Sequence, residues 1–207
     1  MGKREKKKAE TRASLKRAAR LCLEGTSFPD LQISAITREA GVATGTFYVH
    51  FPNKEALLDE VFIEFNERQA ERIGAVWQGG MDTPSDTLRR VAGAVLDAWM
   101  AERRLLEAFV RRAATSSSLG ALRDGINPPV AAYLSQAISA FAASRGAEIA
   151  HPGLITQAVL GMWMRVALQY LFNPEISRDA AVETLTTMTL GAVSAAVPAG
   201  AHRGETP

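Results

Sequence analysis

The chain has 207 residues, a formal net charge of +2 and 47% hydrophobic residues, which fits one large globular domain or a small module joined to a bigger one. No apolar run approaches the ~20 residues of a membrane-spanning helix, and the lysine-rich start lacks the apolar segment of a secretory signal. The one cysteine, Cys22, excludes an intramolecular disulfide and a cysteine-rich zinc site. We interpret it as a small buried residue of a cytoplasmic protein.

Charge is distributed unevenly along the chain. Residues 1–56 contain 11 lysines and arginines against six acidic residues, whereas the other 151 residues contain 13 against 16. A basic first quarter followed by a mildly acidic body predicts an N-terminal module that binds a polyanion. Residues 1–8 alone are expected to be a solvated, disordered leader.

Hydrophobic residues recur at helical spacing, and no stretch shows strand alternation of useful length. An amphipathic pattern predicts a first helix over 9–24 that ends near Gly25. Two short helices follow over 33–40 and 44–50, with a tight turn at Gly41 between them. Pro52 and Asn53 then begin a long helix that reaches about Trp77.

The second half of the chain has the same helical punctuation. Thr83, Pro84 and Asp86 predict a helix cap, and Ser177 predicts another. Further helices are expected over about 84–101, 104–115, 128–145, 152–172 and 178–197. The sequence therefore predicts an all-α fold of about nine helices, with no internal repeat.

The segment of residues 32–51 has the pattern of a helix-turn-helix, in which the second helix lies in the major groove of DNA. This segment reads GVATGTFYVHF from Gly41 onward and contains no acidic residue after the turn, as a duplex partner requires. Hydroxyl, phenol and imidazole groups are suited to bond phosphates and base edges. Phe47 and Phe51 lie four apart, so they are expected to turn back onto the core.

The stretch ISAITREAGVATGTFYVHFPNKEALL, from Ile33 to Leu58, resembles the DNA-binding signature of TetR-family transcriptional regulators. TRASLKRAARLCLEGTSF in the first helix is similar too. The resemblance implies a DNA-binding domain with a three-helix helix-turn-helix module over 8–68 and a helical ligand-binding and dimerisation domain over 84–197. By position it assigns DNA contacts to Ser34, Thr44, Gly45, Thr46, Tyr48, His50 and Lys54. Tyr48, His50 and Lys54 would hold phosphates, and Thr44, Gly45 and Thr46 would lie nearest the bases.

Three positions depart from the family pattern. Ala43 stands where the family usually has a serine that caps the recognition helix, so Thr44 is expected to cap instead. Val49 replaces a common aromatic residue and removes one phosphate contact. Thr37 replaces a usual alanine and adds a hydroxyl near the tight turn.

The larger domain has no catalytic constellation, Walker loop or nucleophile elbow, and the three histidines are far apart in sequence. We therefore expect neither an enzyme nor a metal or cofactor site. Its last two helices carry much small and apolar surface, which predicts a four-helix homodimer interface. The candidates for that interface are Ala158, Gly161, Arg165, Ala181, Leu185, Met188 and Ala192.

Aromatic residues with a polar neighbour suggest an effector pocket, although core packing is the favoured role of each residue taken alone. The candidates for that pocket are Trp99, Phe109, Tyr133, Trp163 and Gln169. Arg165 is a charge in an apolar segment, and it would pair across a dimer interface, extend to solvent or meet an anionic ligand.

Together these features predict a cytoplasmic, homodimeric DNA-binding regulator. We expect a repressor that a small, largely apolar ligand releases from double-stranded operator DNA. A ligand-blind helical DNA-binding or interaction protein is the alternative. A cavity within residues 84–197 would favour the ligand sensor, and a solid core would favour the alternative.

Overall fold

A computed structural model describes residues 2–78, 83–113 and 128–197. These residues form nine α-helices and no strand, which confirms the all-α prediction. The helices are α1 (Lys3–Gly25), α2 (Ile33–Glu39), α3 (Thr44–His50), α4 (Lys54–Gln78), α5 (Pro84–Ala101), α6 (Arg103–Ala113), α7 (Pro128–Ser144), α8 (Pro152–Phe172) and α9 (Arg178–Ala196). The predicted end at Pro198 lies outside the described residues.

The first helix begins earlier than its amphipathic pattern indicates. It starts at Lys3, and the Glu5 side chain accepts a hydrogen bond from the Gly2 backbone nitrogen at 2.9 Å. Lysine, alanine and glutamate favour helix, and the bond to Glu5 satisfies an otherwise free donor at the helix start. The expectation of a disordered leader is therefore wrong for residues 3–8.

The contacts divide the chain into two compact units. The first contains the described residues within Met1–Glu67 and Glu102–Arg123, and the second contains those within Arg68–Ala101 and Asp124–Pro207. Helix α4 contributes residues to both units. Residues 102–113 are expected in the second domain from the sequence, whereas this division groups them with the first unit.

Apolar side chains of α1, α3, α4 and α6 form the core of the first unit. The Phe109 ring of α6 stacks on Phe62 of α4, with ring centroids 3.6 Å apart and planes 5° apart. The Arg112 guanidinium pairs with Asp59 at 3.2 Å. Phe47 and Phe51 are buried, at 0% and 1% exposed, so their predicted place in the core is confirmed.

In the second unit, α9 packs against α5 and α8, and α7 packs against α8. The Arg178 guanidinium donates to both Asp97 oxygens, at 2.6 and 2.9 Å, and this pairing lowers the pKa of the Asp97 carboxyl. Thr83 and Ser177 cap their helices through bonds from the backbone nitrogens of Asp86 and Ala180, both at 3.2 Å. Both predicted caps are confirmed.

No helix in the described part of the chain is long and apolar enough to cross a membrane.

Candidate nucleic-acid interface and effector cavity

The turn between α2 and α3 depends on a left-handed glycine. Gly41 has a φ of 69°, a conformation that costs a residue with a side chain about 1–2 kcal/mol. The turn closes with bonds from the Gly41 nitrogen to the Arg38 carbonyl, at 3.1 Å, and from the Val42 nitrogen to the Thr37 carbonyl, at 2.9 Å. These bonds fix the direction in which α3 leaves α2.

Helix α3 has one buried side and one exposed side. Phe47 is fully buried, whereas Tyr48 and Val49 are 57% and 69% exposed. Thr44 and Gly45 are exposed as well, Thr46 is half-buried, and Ser34 of α2 is exposed. Hydroxyl groups, a phenol and an unencumbered glycine thus lie on the open side of α3, with no acidic residue in the helix.

The start of α3 differs from the expected capping. Ala43 is the N-cap and offers no side-chain bond, and Thr44 does not replace it. The Thr44 hydroxyl instead lies 3.4 Å from the Thr37 hydroxyl, which donates to the Ser34 carbonyl at 3.2 Å. The extra hydroxyl of Thr37 is 2% exposed and is accommodated because it finds this carbonyl partner.

Arg12 of α1 holds the end of α3. Its guanidinium donates to the His50 carbonyl oxygen, forms an ion pair with Glu60 of α4, and lies 4.1 Å from the centroid of the Phe51 ring. Lys16 extends the cluster by pairing with Glu64. Sequence reasoning missed this clamp. The sequence feature that could have indicated it is the shared four-residue spacing of Arg12 and Lys16 in α1 and of Glu60 and Glu64 in α4.

His50 lies beside this clamp and is half-buried. Burial, followed by the nearby charges of Arg12 and Lys8, lowers the pKa of its imidazole. Its Nδ1 is buried and has no hydrogen-bond partner among the described residues. Burial and the nearby positive charges therefore both disfavour the charged form of the imidazole.

Lys54 is expected to hold a phosphate, but its ammonium group is already occupied within the protein. It donates to the carbonyl oxygens of Phe28, Pro29 and Leu31 at 3.0, 2.8 and 3.0 Å. An ammonium group has three donors, so a phosphate contact would have to displace one of these bonds. In this arrangement Lys54 holds the loop between α1 and α2, and its phosphate contact stays a prediction.

A cavity of about 350 Å³ lies within the second unit, inside the ~300–1,000 Å³ range of small-molecule sites. None of its described lining residues is charged, and Thr87, Thr189 and Ser194 are its polar side chains. A smaller cavity of about 40 Å³ adjoins it. The residues that line both cavities are Trp77, Leu88, Leu134 and Thr189.

Two of the five predicted pocket residues line these cavities. Tyr133 and Trp163 border the smaller one, and the Trp163 indole nitrogen donates to the Thr189 hydroxyl at 2.8 Å. Trp99 is buried but lines neither cavity, and Phe109 belongs to the core of the first unit. Gln169 is exposed. Sequence reasoning missed Trp77 and Thr189, since helical spacing alone does not show which buried residues leave space beside them.

Residues 15–61 match the sequence profile of a family described as "Bacterial regulatory proteins, tetR family". The match covers α2, α3 and the turn between them. The chain carries the DNA-binding domain of the TetR family. None of the curated proteins compared matches the chain in sequence.

Solved structures of TetR-family regulators share the fold of this chain. A regulator from Streptomyces coelicolor has a TM-score of 0.71 and 19% identity, covering 95% of this chain and 83% of its own. FadR from Bacillus halodurans, a fatty acid degradation regulator, has a TM-score of 0.66 and 21% identity. The match covers 87% of this chain and 95% of FadR. Thermus thermophilus FadR, a repressor solved with lauroyl-CoA, has a TM-score of 0.65 and 18% identity. The match covers 86% of this chain and 93% of that FadR. At these identities the likeness shows the TetR-family fold.

Beyond the TetR-type domain, α8 and α9 each expose one largely apolar side. Leu154, Ala158 and Arg165 of α8 are exposed, as are Met188 and Ala192 of α9. Gly161 is half-buried. Ala181 and Leu185, at 1% and 0% exposed, lie in the core of their own protomer and not on this side, because α9 turns them toward its neighbouring helices.

No group of three or more histidine, cysteine, aspartate or glutamate side chains is arranged for a metal within residues 2–78, 83–113 and 128–197.

Proposed function

We propose that this chain is a homodimeric transcriptional repressor that binds operator DNA through α3 and is released by a small, largely apolar ligand. The observation that carries the proposal is the division of α3 into a fully buried Phe47 and an exposed side without acidic residues. A helix that reads the major groove needs an inner side that fixes its position and an outer side that bonds phosphates and base edges.

The exposed residues of α3 have complementary roles in this proposal. Thr44 and Thr46 supply hydroxyls that bond base edges, and the methyl groups of these threonines contact thymine methyl groups. Tyr48 and His50 lie at positions that hold phosphates. Arg12, already bonded to the end of α3, acts as a positioning residue for that helix.

Dimerisation is supported by the exposed side of α8 and α9. Leu154 and Met188 are 66% and 49% exposed, and small residues beside them permit close helix approach. A second copy would cover this apolar surface and align two recognition helices on half-sites one or more helical turns apart. Arg165 lies on the same exposed side and lines neither cavity, which supports pairing across the interface or extension to solvent over contact with an anionic ligand.

The cavity supports this proposal over the ligand-blind alternative. A recess of about 350 Å³ with an uncharged described lining is typical of a small-molecule site, whereas DNA binding alone does not need one. The helices that line the cavity include α4, which also contributes to the DNA-binding unit. A ligand that binds the released state more tightly by only about 1–3 kcal/mol lowers the DNA affinity about 5–150-fold.

Selection of bound fragments from a genomic library tests the proposal. The wild-type chain should enrich one sequence with twofold symmetry, and Thr44→Asp should abolish the enrichment, since a carboxylate on α3 repels the duplex. Ser139→Asp, which adds the same charge at an exposed position of α7, is the matched control and should enrich the same sequence. Enrichment by Thr44→Asp would contradict the assignment of α3.

A further inference from the structure

Thr189 differs from the other threonines of α9 in how it uses its hydroxyl. Thr184 and Thr186 donate to the carbonyl oxygens four residues earlier, each at 2.8 Å, and Thr187 donates to the Glu183 carboxylate at 3.4 Å. Such back-bonding is the ordinary way for a helical threonine to satisfy its donor. The corresponding bond from Thr189 to the Leu185 carbonyl does not form.

The Thr189 hydroxyl acts instead as an acceptor. It receives the Trp163 indole N–H at 2.8 Å, and Thr189 is 1% exposed. A hydroxyl has one donor in addition to its acceptor sites. Among the described residues, no acceptor is within reach of this O–H, so a buried donor remains unused.

This unused donor lies in the wall of the cavity. Thr189 lines both the large and the small space, and its neighbours there include Trp77, Leu88 and Leu134. Buried polar groups are nearly always hydrogen-bonded, so an unused donor on a residue that lines an apolar cavity indicates a partner that enters the cavity. Trp163 fixes the hydroxyl by bonding its oxygen, and this bond leaves the hydrogen for that partner.

We propose that Thr189 anchors an uncharged, mainly apolar ligand through one hydrogen-bond acceptor, such as a ketone, ester or ether oxygen. The described lining contains no lysine, arginine or histidine that would balance a carboxylate or a phosphate, and an unpaired charge in such a site is costly. This inference rests on the proposed function, because it identifies the class of ligand that the cavity of the regulator accepts.

Displacement of the uncharged dye N-phenylnaphthylamine from the full-length chain tests the inference. The competitors are 2-nonanone, nonane and nonanoate, which share a chain length and differ in the acceptor and the charge. One ligand hydrogen bond of ordinary strength corresponds to about a 2–12-fold change in affinity. Wild type should therefore bind 2-nonanone about 2–12-fold more tightly than nonane, and nonanoate most weakly.

Variants separate the contribution of the Thr189 hydroxyl to ligand binding from its contribution to the structure. Thr189→Ser keeps the hydroxyl and should keep the preference for the ketone. Thr189→Val would leave the Trp163 N–H unpaired, so the decisive comparison is Trp163→Phe against Trp163→Phe with Thr189→Val, neither of which has an indole at this site. Only the second should bind 2-nonanone and nonane equally.

The outcomes separate this inference from the proposed function. Equal binding of 2-nonanone and nonane by wild type overturns the role of Thr189 while the cavity remains a ligand site. Tighter binding of nonanoate overturns the uncharged ligand class. Failure of the dye and of all three competitors to bind overturns both the inference and the proposed ligand response.

Discussion

Replacing Gly45 by alanine should stabilise the protein and weaken its binding to DNA. Gly45 is the second residue of α3, it is exposed, and its φ is not positive. A Cβ built there lies more than 4 Å from any heavy atom of the described residues outside its own stretch of helix. The fold therefore gives no reason for glycine at a helical position where alanine is favoured.

The substitution is expected to raise the stability of the protein and to lower its affinity for DNA. At a position whose backbone suits alanine, the substitution raises the free energy of unfolding by about 0.4–1 kcal/mol. If the DNA approaches α3 as closely as glycine permits, the added methyl costs about 1–3 kcal/mol of steric strain in the complex, or about 5–150-fold in affinity.

Urea unfolding and fluorescence anisotropy on the selected operator measure the two effects. Gly153→Ala is the matched control, because Gly153 is also an exposed second residue of a helix, α8, with open space around its Cα. The control should gain stability and keep its DNA affinity. Unchanged operator affinity of Gly45→Ala would refute a close approach at Gly45, and a loss of stability would show that the fold itself requires the glycine.

Three further predictions follow from other residues. Lys54→Met should lower the free energy of unfolding by about 1–3 kcal/mol, since three carbonyls lose a charged donor. The salt dependence of its DNA binding should stay that of wild type, whereas a slope smaller by about one unit would restore Lys54 as a phosphate contact. His50 has a folded-state pKa below its ordinary value of 6.5, so the unfolded chain binds more protons and stability should fall as the pH drops through about 6.5. Urea unfolding at about pH 7.5 and about pH 5.5 should show this decline reduced in His50→Asn, and an equal decline in both proteins would assign it to other groups. The double variant Met188→Glu with Ala192→Glu should sediment as a monomer, because charges would be buried in the interface. Ser139→Glu, at an exposed position of α7, should leave a dimer. An intact dimer in the double variant would place the interface elsewhere.

The sequence predicts the helices well because their signals are local. Caps at Thr83 and Ser177, the turn at Gly41 and the spacing of Phe47 and Phe51 each depend on a few neighbouring residues. The first turns of α1 were missed because a run of lysines has no apolar stripe, although lysine is a good helix former.

The site residues are harder to predict because their roles depend on distant parts of the chain. Lys54 has the charge and position of a phosphate contact, yet carbonyls more than 20 residues earlier bind its ammonium. Ala181 and Leu185 have the spacing of an interface stripe, but the packing of α9 on α5 and α8 buries them. Thr189 is one of four threonines in α9, and only the three-dimensional neighbours of its hydroxyl distinguish it from the others.

The most direct test of regulated DNA binding by α3 is a hydroxyl-radical footprint of the full-length chain on its selected operator. We expect two protected half-sites related by twofold symmetry, with centres about 34–36 Å apart or at a multiple of that spacing. Thr44→Asp should remove both protected segments together. A single asymmetric footprint, or protection that survives this substitution, would contradict the proposal that a dimer reads DNA through α3.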